Sequence, residues 1–398
     1  MKILFVIPSL AMGGQEKAGM LLCNFLMQYH KVTVVCFEEK NIADFDYLCE
    51  IIRIKIQTNS GLLQKFLKGY KRLRELKRIK KTIKPDVSIA FGNTAIILNS
   101  LTRSDENKIS SIRQSFLGIM NNNSFAMKIH RTLYVWALKR SKKIVSISEG
   151  INNELRQYFN IHNNIFINNG FDMKSIEKMA SEEVPLFKNK RLWLIHSGRF
   201  DPSKGHWHLI KIFTEIKKVF PEATLLLLGS TETSSHFGRL MLDFYKDYLK
   251  KNNHTWSENE KSLSDVMFLG HQKNPFKYIS KANLFIFPSL REGFPNALVE
   301  AMACTTPVVA ADCPTGPREI LISNISGEKY GLLLPAFNDK FDAGITFPQK
   351  EDLYWAEQII SLLNDQVLLE FYKAQTIKRA RHFSISEMGN KWIKVIEK

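Results

Sequence analysis

The sequence predicts an α/β protein of two doubly wound domains, each a parallel sheet with helices on both faces. Three observations carry that prediction. Short β-rich apolar runs alternate with longer helical stretches. The runs are continuous rather than alternating, as expected of strands buried on both faces. The series then restarts near residue 190, and 398 residues exceed one ordinary core.

The elements follow in order. Ile3–Ile7 reads as the first strand, and a helix runs from about Gln15 to Gln28. Val32–Cys36, Ile51–Ile56, Val87–Ala90, Ile109–Ile112 and Ile144–Ile147 continue the first series. The second opens with strand Leu192–His196, helix Trp207–Val219 and strand Thr224–Leu228. Val266–Leu269, Leu284–Phe287 and Val308–Ala310 complete it. The boundary is expected between Asn168 and Lys190, where an Asn-Asn-Gly turn and Pro185 interrupt the pattern. The expected domains are therefore 1–175 and 186–380. From about Leu353 the chain reads as helix, and its last part, 381–398, is expected to pack back on the first domain.

Composition narrows the function. Hydrophobic residues make up 44% and charged residues 24%, as in a globular protein. Lys and Arg number 56 against 39 Asp and Glu, a net charge of +17 that calls for an anionic partner. No apolar run approaches the roughly 20 residues of a membrane span. Five apolar residues between Lys2 and Pro8 are too few for a secretory signal. Five scattered cysteines, with no C-x-x-C, predict reduced, mostly buried cytosolic thiols and no structural zinc.

Three motifs follow strands. Gly13-Gly14 opens the first helix, where backbone amides can approach a phosphate. The spacing is not G-x-G-x-x-G, which argues against an NAD-type site. Taken alone, the pair is better read as a tight turn. Arg199 and Lys204 lie on the loop after the first strand of the second series, at the end where open sheets bind ligands. Both can neutralise phosphate oxygens, although two cations alone also describe a solvated loop. Glu292 and Glu300 bracket a turn at Gly293 and a helix expected to start at Pro295. Eight helical residues would separate them by roughly 12 Å. A glycosidase pair needs about 5–9.5 Å. Two hydroxyl acceptors at opposite ends of a sugar–diphosphate–nucleoside fit better, with the anion on the helix N-terminus.

These residues together resemble the retaining GT-B glycosyltransferases of glycosyltransferase family 4. The shared features are E-G-F-x-N-x-x-x-E from Glu292 to Glu300, a G-R-x-x-x-x-K-G loop holding Arg199 and Lys204, and the Gly13-Gly14 loop. Lesser matches are Ser146-Ile147-Ser148, Asn169-Gly170-Phe171-Asp172 and Gly331-Leu332-Leu333-Leu334-Pro335. The resemblance implies two Rossmann-like domains facing a cleft and a nucleotide-sugar donor. It gives Glu292 to the donor sugar and Glu300 to the ribose. Backbone groups of Gly293, Phe294, Pro295, Asn296 and Ala297 would hold sugar and phosphate. Arg199 and Lys204 would stabilise the departing diphosphate, so that no metal or other cofactor is needed. The only Asp-x-Asp, Asp44-Phe45-Asp46, lies in the first domain. Where many members carry a His after the strand Ile109–Ile112, this chain has Arg113, which either takes that place or is a surface residue.

Asp312-Cys313-Pro314-Thr315-Gly316-Pro317-Arg318-Glu319-Ile320 is similar to a variant among bacterial polysaccharide galactosyl- and N-acetylgalactosaminyltransferases. It implies a UDP-hexose or UDP-N-acetylhexosamine donor. Between Leu62 and Lys84, ten Lys and Arg residues face one acid, Glu75, and apolar residues recur at helical spacing. Lys128, His130, Arg131, Lys139, Arg140, Lys142 and Lys143 add to the same domain. Such a helix suits acidic headgroups or a diphosphate. The expected acceptor is an undecaprenyl-diphosphate-linked sugar, with the protein peripheral on the inner face of the bacterial membrane. A soluble synthase of the sucrose or glycogen type and a basic nucleic-acid-binding protein are the competing readings. No nucleic-acid motif accompanies the charge.

Overall fold

A computed structural model describes residues 1–10, 13–37, 48–56, 62–116, 124–230, 236–323, 326–337 and 341–398. Asp44-Phe45-Asp46 lies outside these. The chain forms two units, Met1–Asp172 with Phe383–Lys398, and Met173–His382.

The first unit contains β1 (Lys2–Ile7), α1 (Gly14–Leu26), β2 (Lys31–Cys36), β3 (Glu50–Arg53), α2 (Leu62–Ile83), β4 (Val87–Phe91) and α3 (Asn93–Ser100). It continues with β5 (Asn107–Ile112), α4 (Phe125–Lys139), β6 (Lys143–Ser146), α5 (Glu149–Phe159) and β7 (Asn164–Phe166). Its seven strands run parallel in the order β3-β2-β1-β4-β5-β6-β7.

The second unit contains α6 (Met173–Ala180), β8 (Leu192–Ser197), α7 (His206–Val219), β9 (Ala223–Leu228), α8 (His236–Lys251), β10 (Trp256–Ser257) and β11 (Val266–Gly270). Then come α9 (Phe276–Ile279), β12 (Leu284–Phe287), α10 (Asn296–Ala303), β13 (Val308–Ala311), α11 (Pro317–Leu321), β14 (Leu332–Leu334), α12 (Lys350–Asn364) and α13 (Gln366–Arg381). Its sheet is also parallel, in the order β10-β11-β9-β8-β12-β13-β14. The chain ends in α14 (Ile385–Glu397).

The central strands β1, β4, β9, β12 and β13 are almost wholly buried, because helices cover both faces. In the first unit, Trp392, Val395 and Ile396 of α14 join Ile3, Phe5 and Ile89 in one core. Gly389 lets α14 lie against α1: a Cβ there would sit 2.2 Å from the Phe25 ring. All five cysteines are buried and unbridged. Among the described residues no helix is long and apolar enough to cross a membrane.

Three short strands, β7, β10 and β14, were not legible from sequence. Two or three residues are too few to show a period. Strand β3 stops at Arg53, short of the expected Ile56. The stretch read as a linker holds α6. The carbonyls of its last two residues, Met179 and Ala180, accept bonds from Asn274 Nδ2 and Ser280 Oγ, both at 2.8 Å, which ties the helix to the second unit.

Two of the ten cations between Leu62 and Lys84 turn inward from the basic amphipathic helix α2. Arg72 is buried, donates to the Phe37 carbonyl at 3.0 Å and lies over the Phe37 ring. Lys80 is 3% exposed. Its ammonium meets Asn99 Oδ1 at 2.6 Å, Thr102 Oγ1 at 2.8 Å and the Glu106 carboxylate. Burial lowers the Lys80 pKa from its ordinary value. Burial would raise Glu106, but Lys80 and neighbouring serine hydroxyls bring it below the usual carboxylate range.

Removing one partner of such a pair strands the other charge in the interior. Lys80→Met should therefore destabilise the fold by about 3–5 kcal/mol. Lys80→Met combined with Glu106→Leu should recover most of that loss. Urea midpoints of the three proteins check both statements.

Candidate functional site

In the second sheet the strand order reverses between β8 and β12, which pair directly. Loops leaving the carboxyl ends of two such strands diverge and leave a crevice for ligand. The loop after β8 carries Arg199 and Lys204, and the loop after β12 carries Glu292.

The two loops are fastened together. Leu290 N–H donates to the Ser203 carbonyl at 2.8 Å. Gly205 has φ +64°, and a Cβ there would lie 2.2 Å from the Pro288 carbonyl oxygen. Only glycine permits both the left-handed backbone and that approach. Asp201 shapes the turn before it, accepting from Ser203 N–H at 2.9 Å and Ser203 Oγ at 2.6 Å. Burial would raise the Asp201 carboxyl, but the Ser203 bonds, with Arg199 and Lys204 nearby, bring it below its usual value. The result is that Lys204 Nζ meets Glu292 Oε1 at 2.6 Å. The side chains are only 19% and 9% exposed, so this pair is more than a surface contact. Arg199 is exposed beside it.

Gly293, Phe294 and Pro295 lead from Glu292 into α10. Pro295 caps the helix, and Asn296 is its first residue, one later than expected. Phe294 and Pro295 are buried, while Gly293, Asn296, Ala297 and Glu300 are partly exposed. Only four residues of helix, 296 to 299, precede Glu300, so the two glutamates are separated as much by the loop as by helical rise. The first amides of α10 are directed toward the Glu292 loop, as at anion-binding helix N-termini.

Two features of this region were missed in the sequence. Thr315 adopts φ +64°, a conformation that costs a β-branched residue about 1–3 kcal/mol. Its hydroxyl donates to the Glu292 carbonyl, which fixes the loop from the far side. The Thr-Gly-Pro run marked a turn, but nothing local named its partner. Beneath the first loop, His196 is fully buried. Its Nδ1 donates to the Ile286 carbonyl at 2.8 Å, so Nδ1 carries the proton. The ring of His206 crosses it at 5.0 Å.

The first unit shows a second cluster. Gly13 caps α1 and Gly14 begins it, with Glu16 in the first turn. Arg113, just past β5, is partly buried. Its guanidinium lies 4.8 Å over the Phe91 ring and donates to Asn169 Oδ1. Its Nε is buried without a partner. Burial lowers its pKa to about 9, and Glu16 opposes that shift, so it stays cationic at neutral pH. Arg113, Asn169, Gly170 and Trp392 border a cavity of about 10 Å³, enough for roughly one water. Arg113 is thus held in the fold rather than left as a solvated strand end. Among the described residues no group of His, Cys, Asp and Glu could hold a metal ion.

Comparison with known proteins agrees with these two units. Residues 177–383 match the family model for glycosyl transferases group 1, and residues 15–148 match the glycosyl transferase 4-like model. The chain is 28% identical over 381 residues to an uncharacterised glycosyltransferase of Methanocaldococcus jannaschii, covering 87% of this chain and 88% of that one. It is 25% identical over 390 residues to the N-acetylgalactosamine-N,N'-diacetylbacillosaminyl-diphospho-undecaprenol 4-alpha-N-acetylgalactosaminyltransferase of Campylobacter jejuni, covering 96% and 95%. Among solved structures, Anabaena HepE in complex with UDP superposes with a TM-score of 0.73 at 18% identity, covering 100% of both chains. The fold is GT-B.

The buried histidines give a pH dependence. Burial pushes His196 down to about 4, with Lys204 adding to it and the Ile286 bond opposing it. The unfolded chain binds a proton near pH 6.5 that the folded chain refuses until about pH 4. Stability should therefore be lost as pH falls through this window. His196→Leu should ease the slope of unfolding free energy against pH by up to one proton. Urea titrations between pH 4.5 and 7.5 measure it, and an unchanged slope would contradict a neutral buried imidazole.

Proposed function

Because the chain belongs to the group 1 glycosyltransferases, we propose that it moves a hexose or N-acetylhexosamine from a UDP-sugar to an undecaprenyl-diphosphate-linked oligosaccharide, with retention of configuration, in bacterial surface glycan assembly. The observation that carries the donor side is the Lys204–Glu292 pair at the strand-order reversal, beside the N-terminus of α10.

That pair is a resting contact that the donor exchanges. An arriving diphosphate competes for Lys204 and frees the Glu292 carboxylate to accept from sugar hydroxyls. Arg199 and the α10 amides share the diphosphate charge. As the bond to the anomeric carbon breaks, negative charge grows on the leaving phosphate oxygen, and these donors stabilise it. Glu300 accepts from ribose hydroxyls. Arg113, a partly buried cation with a spare N–H, is assigned to donor oxygens. No protein nucleophile is invoked, and two cations plus a helix N-terminus take the part of a divalent metal.

The acceptor side rests on the acceptor that the Campylobacter relative is named for and on α2. Lys71, Arg74, Arg78 and Lys81 are exposed at helical spacing, although Arg72 and Lys80 are committed to the interior. The exposed row offers contacts to a diphosphate or to an anionic bilayer, to which the protein attaches peripherally.

A screen of UDP-sugars with purified protein, reading released UDP, tests the donor class. Glu292→Ala should lower transfer roughly 30- to 1,000-fold, the equivalent of about 2–4 kcal/mol, with the fold intact by circular dichroism. Near-wild-type turnover would remove Glu292 from the reaction. EDTA should leave turnover unchanged; loss with EDTA and rescue by Mn²⁺ would refute metal-independent transfer.

A further inference from the structure

Helix α4 shows an outward face that packing does not explain. Its inward face is packed: Tyr134, Ala137 and Leu138 are at most 1% exposed, and Tyr134 packs against Phe116. On the other side Ile129, Leu133 and Trp136 are 47%, 43% and 39% exposed. Their spacing, four residues and then three, aligns them as one stripe along the helix. The stripe continues into Arg140, whose guanidinium lies 5.1 Å from the Trp136 ring centroid.

The sequence around the stripe carries charge of one sign. From Asn107 to Ser148 the sequence has eight Lys and Arg residues and no Asp or Glu. Lys128, Lys139, Arg140 and Lys142 are exposed. Helix α3 packs against both α2 and α4, so the two basic helices flank it on the same side of the first sheet. An apolar stripe that includes Trp, rimmed by cations, is the pattern of a helix lying in the plane of a lipid interface. A second copy of this chain fits poorly. A two-fold contact would bring this patch onto itself and oppose two cationic surfaces.

We propose that α4 is an interfacial anchor, with Ile129, Leu133 and Trp136 entering the acyl boundary of an anionic bilayer while the surrounding cations meet its headgroups. The inference rests on the membrane reading above and deepens it. Attachment through α2 alone would be electrostatic and lost in high salt. Apolar insertion by α4 leaves a part that salt does not remove.

The test is co-sedimentation of the full chain with vesicles of phosphatidylcholine and phosphatidylglycerol at 7:3, and of phosphatidylcholine alone, in 0.15 M and 1 M NaCl. The wild type should bind the anionic vesicles and retain measurable binding at 1 M NaCl. Ile129→Ser/Leu133→Ser/Trp136→Ser should lower the partition coefficient at least tenfold at 0.15 M and abolish the salt-resistant part. Donor-dependent UDP release and circular dichroism serve as controls for folding. Brominated lipid should quench a tryptophan signal that Trp136→Phe lacks. Triple-variant binding within twofold of wild type, or wild-type binding wholly removed by salt, would overturn the α4 anchor while leaving peripheral attachment standing. A wild type that binds neither vesicle would overturn both, without touching the donor reaction. A dimer that the triple variant converts to monomer in sedimentation would show that the stripe faces another copy, which also overturns the anchor.

Discussion

The meeting of Lys204 and Glu292 is the contact on which the proposed donor site depends. The residues are 88 positions apart in the chain, and their charged groups are 2.6 Å apart in the fold. No local preference brings them together. They meet because β8 and β12 are neighbours, because Leu290 is bonded to Ser203, and because Gly205 has no side chain to hold Pro288 away. A carboxylate and an ammonium largely removed from water, each satisfied by the other, form a site whose charges are held in place yet exchangeable. In the proposed reaction a ligand carrying its own negative charge replaces the carboxylate at the lysine.

Around that contact the protein stores strain and burial in small amounts. Thr315 stands at φ +64° and is fastened to the Glu292 carbonyl. His196 and His206 are buried neutral beneath the loop, with burial pulling both below the ordinary imidazole value. A neutral ring under Lys204 adds no competing charge at neutral pH and supports the turn sterically. In the first unit Arg113 is fixed on Phe91 and Asn169 in a comparable way. Both clusters sit at carboxyl ends of central strands, where the doubly wound topology leaves loops free of the sheet.

The net charge of +17 divides into two populations. Some cations are structural. Lys80 is embedded among Asn99, Thr102 and Glu106, and Arg72 caps the Phe37 carbonyl. Others line the outward faces of α2 and α4, where they are exposed to solvent and Arg78 pairs with Glu75 at 3.0 Å. Only the second population is available to an anionic surface or a diphosphate, and the sequence alone does not separate the two.

The fold class, the two βαβ series and the loops bearing Arg199, Lys204 and Glu292 were legible in the sequence, because they are written in local signals. Continuous apolar runs mark strands buried on both faces, and glycine and proline mark the turns after them. Strands of two or three residues escaped, since Trp256–Ser257 or Asn164–Phe166 is stabilised by its neighbour's hydrogen bonds rather than by its own pattern. The exit of Arg72 and Lys80 from the basic face, the clamp of Thr315 on Glu292 and the support of Arg113 by Asn169 were decided only by tertiary structure. Each is a contact between residues 23 to 56 positions apart. A periodicity reports which face of a helix is polar. It does not report which polar groups the rest of the chain has folded over, because that is set by what the neighbouring loops bring to meet them.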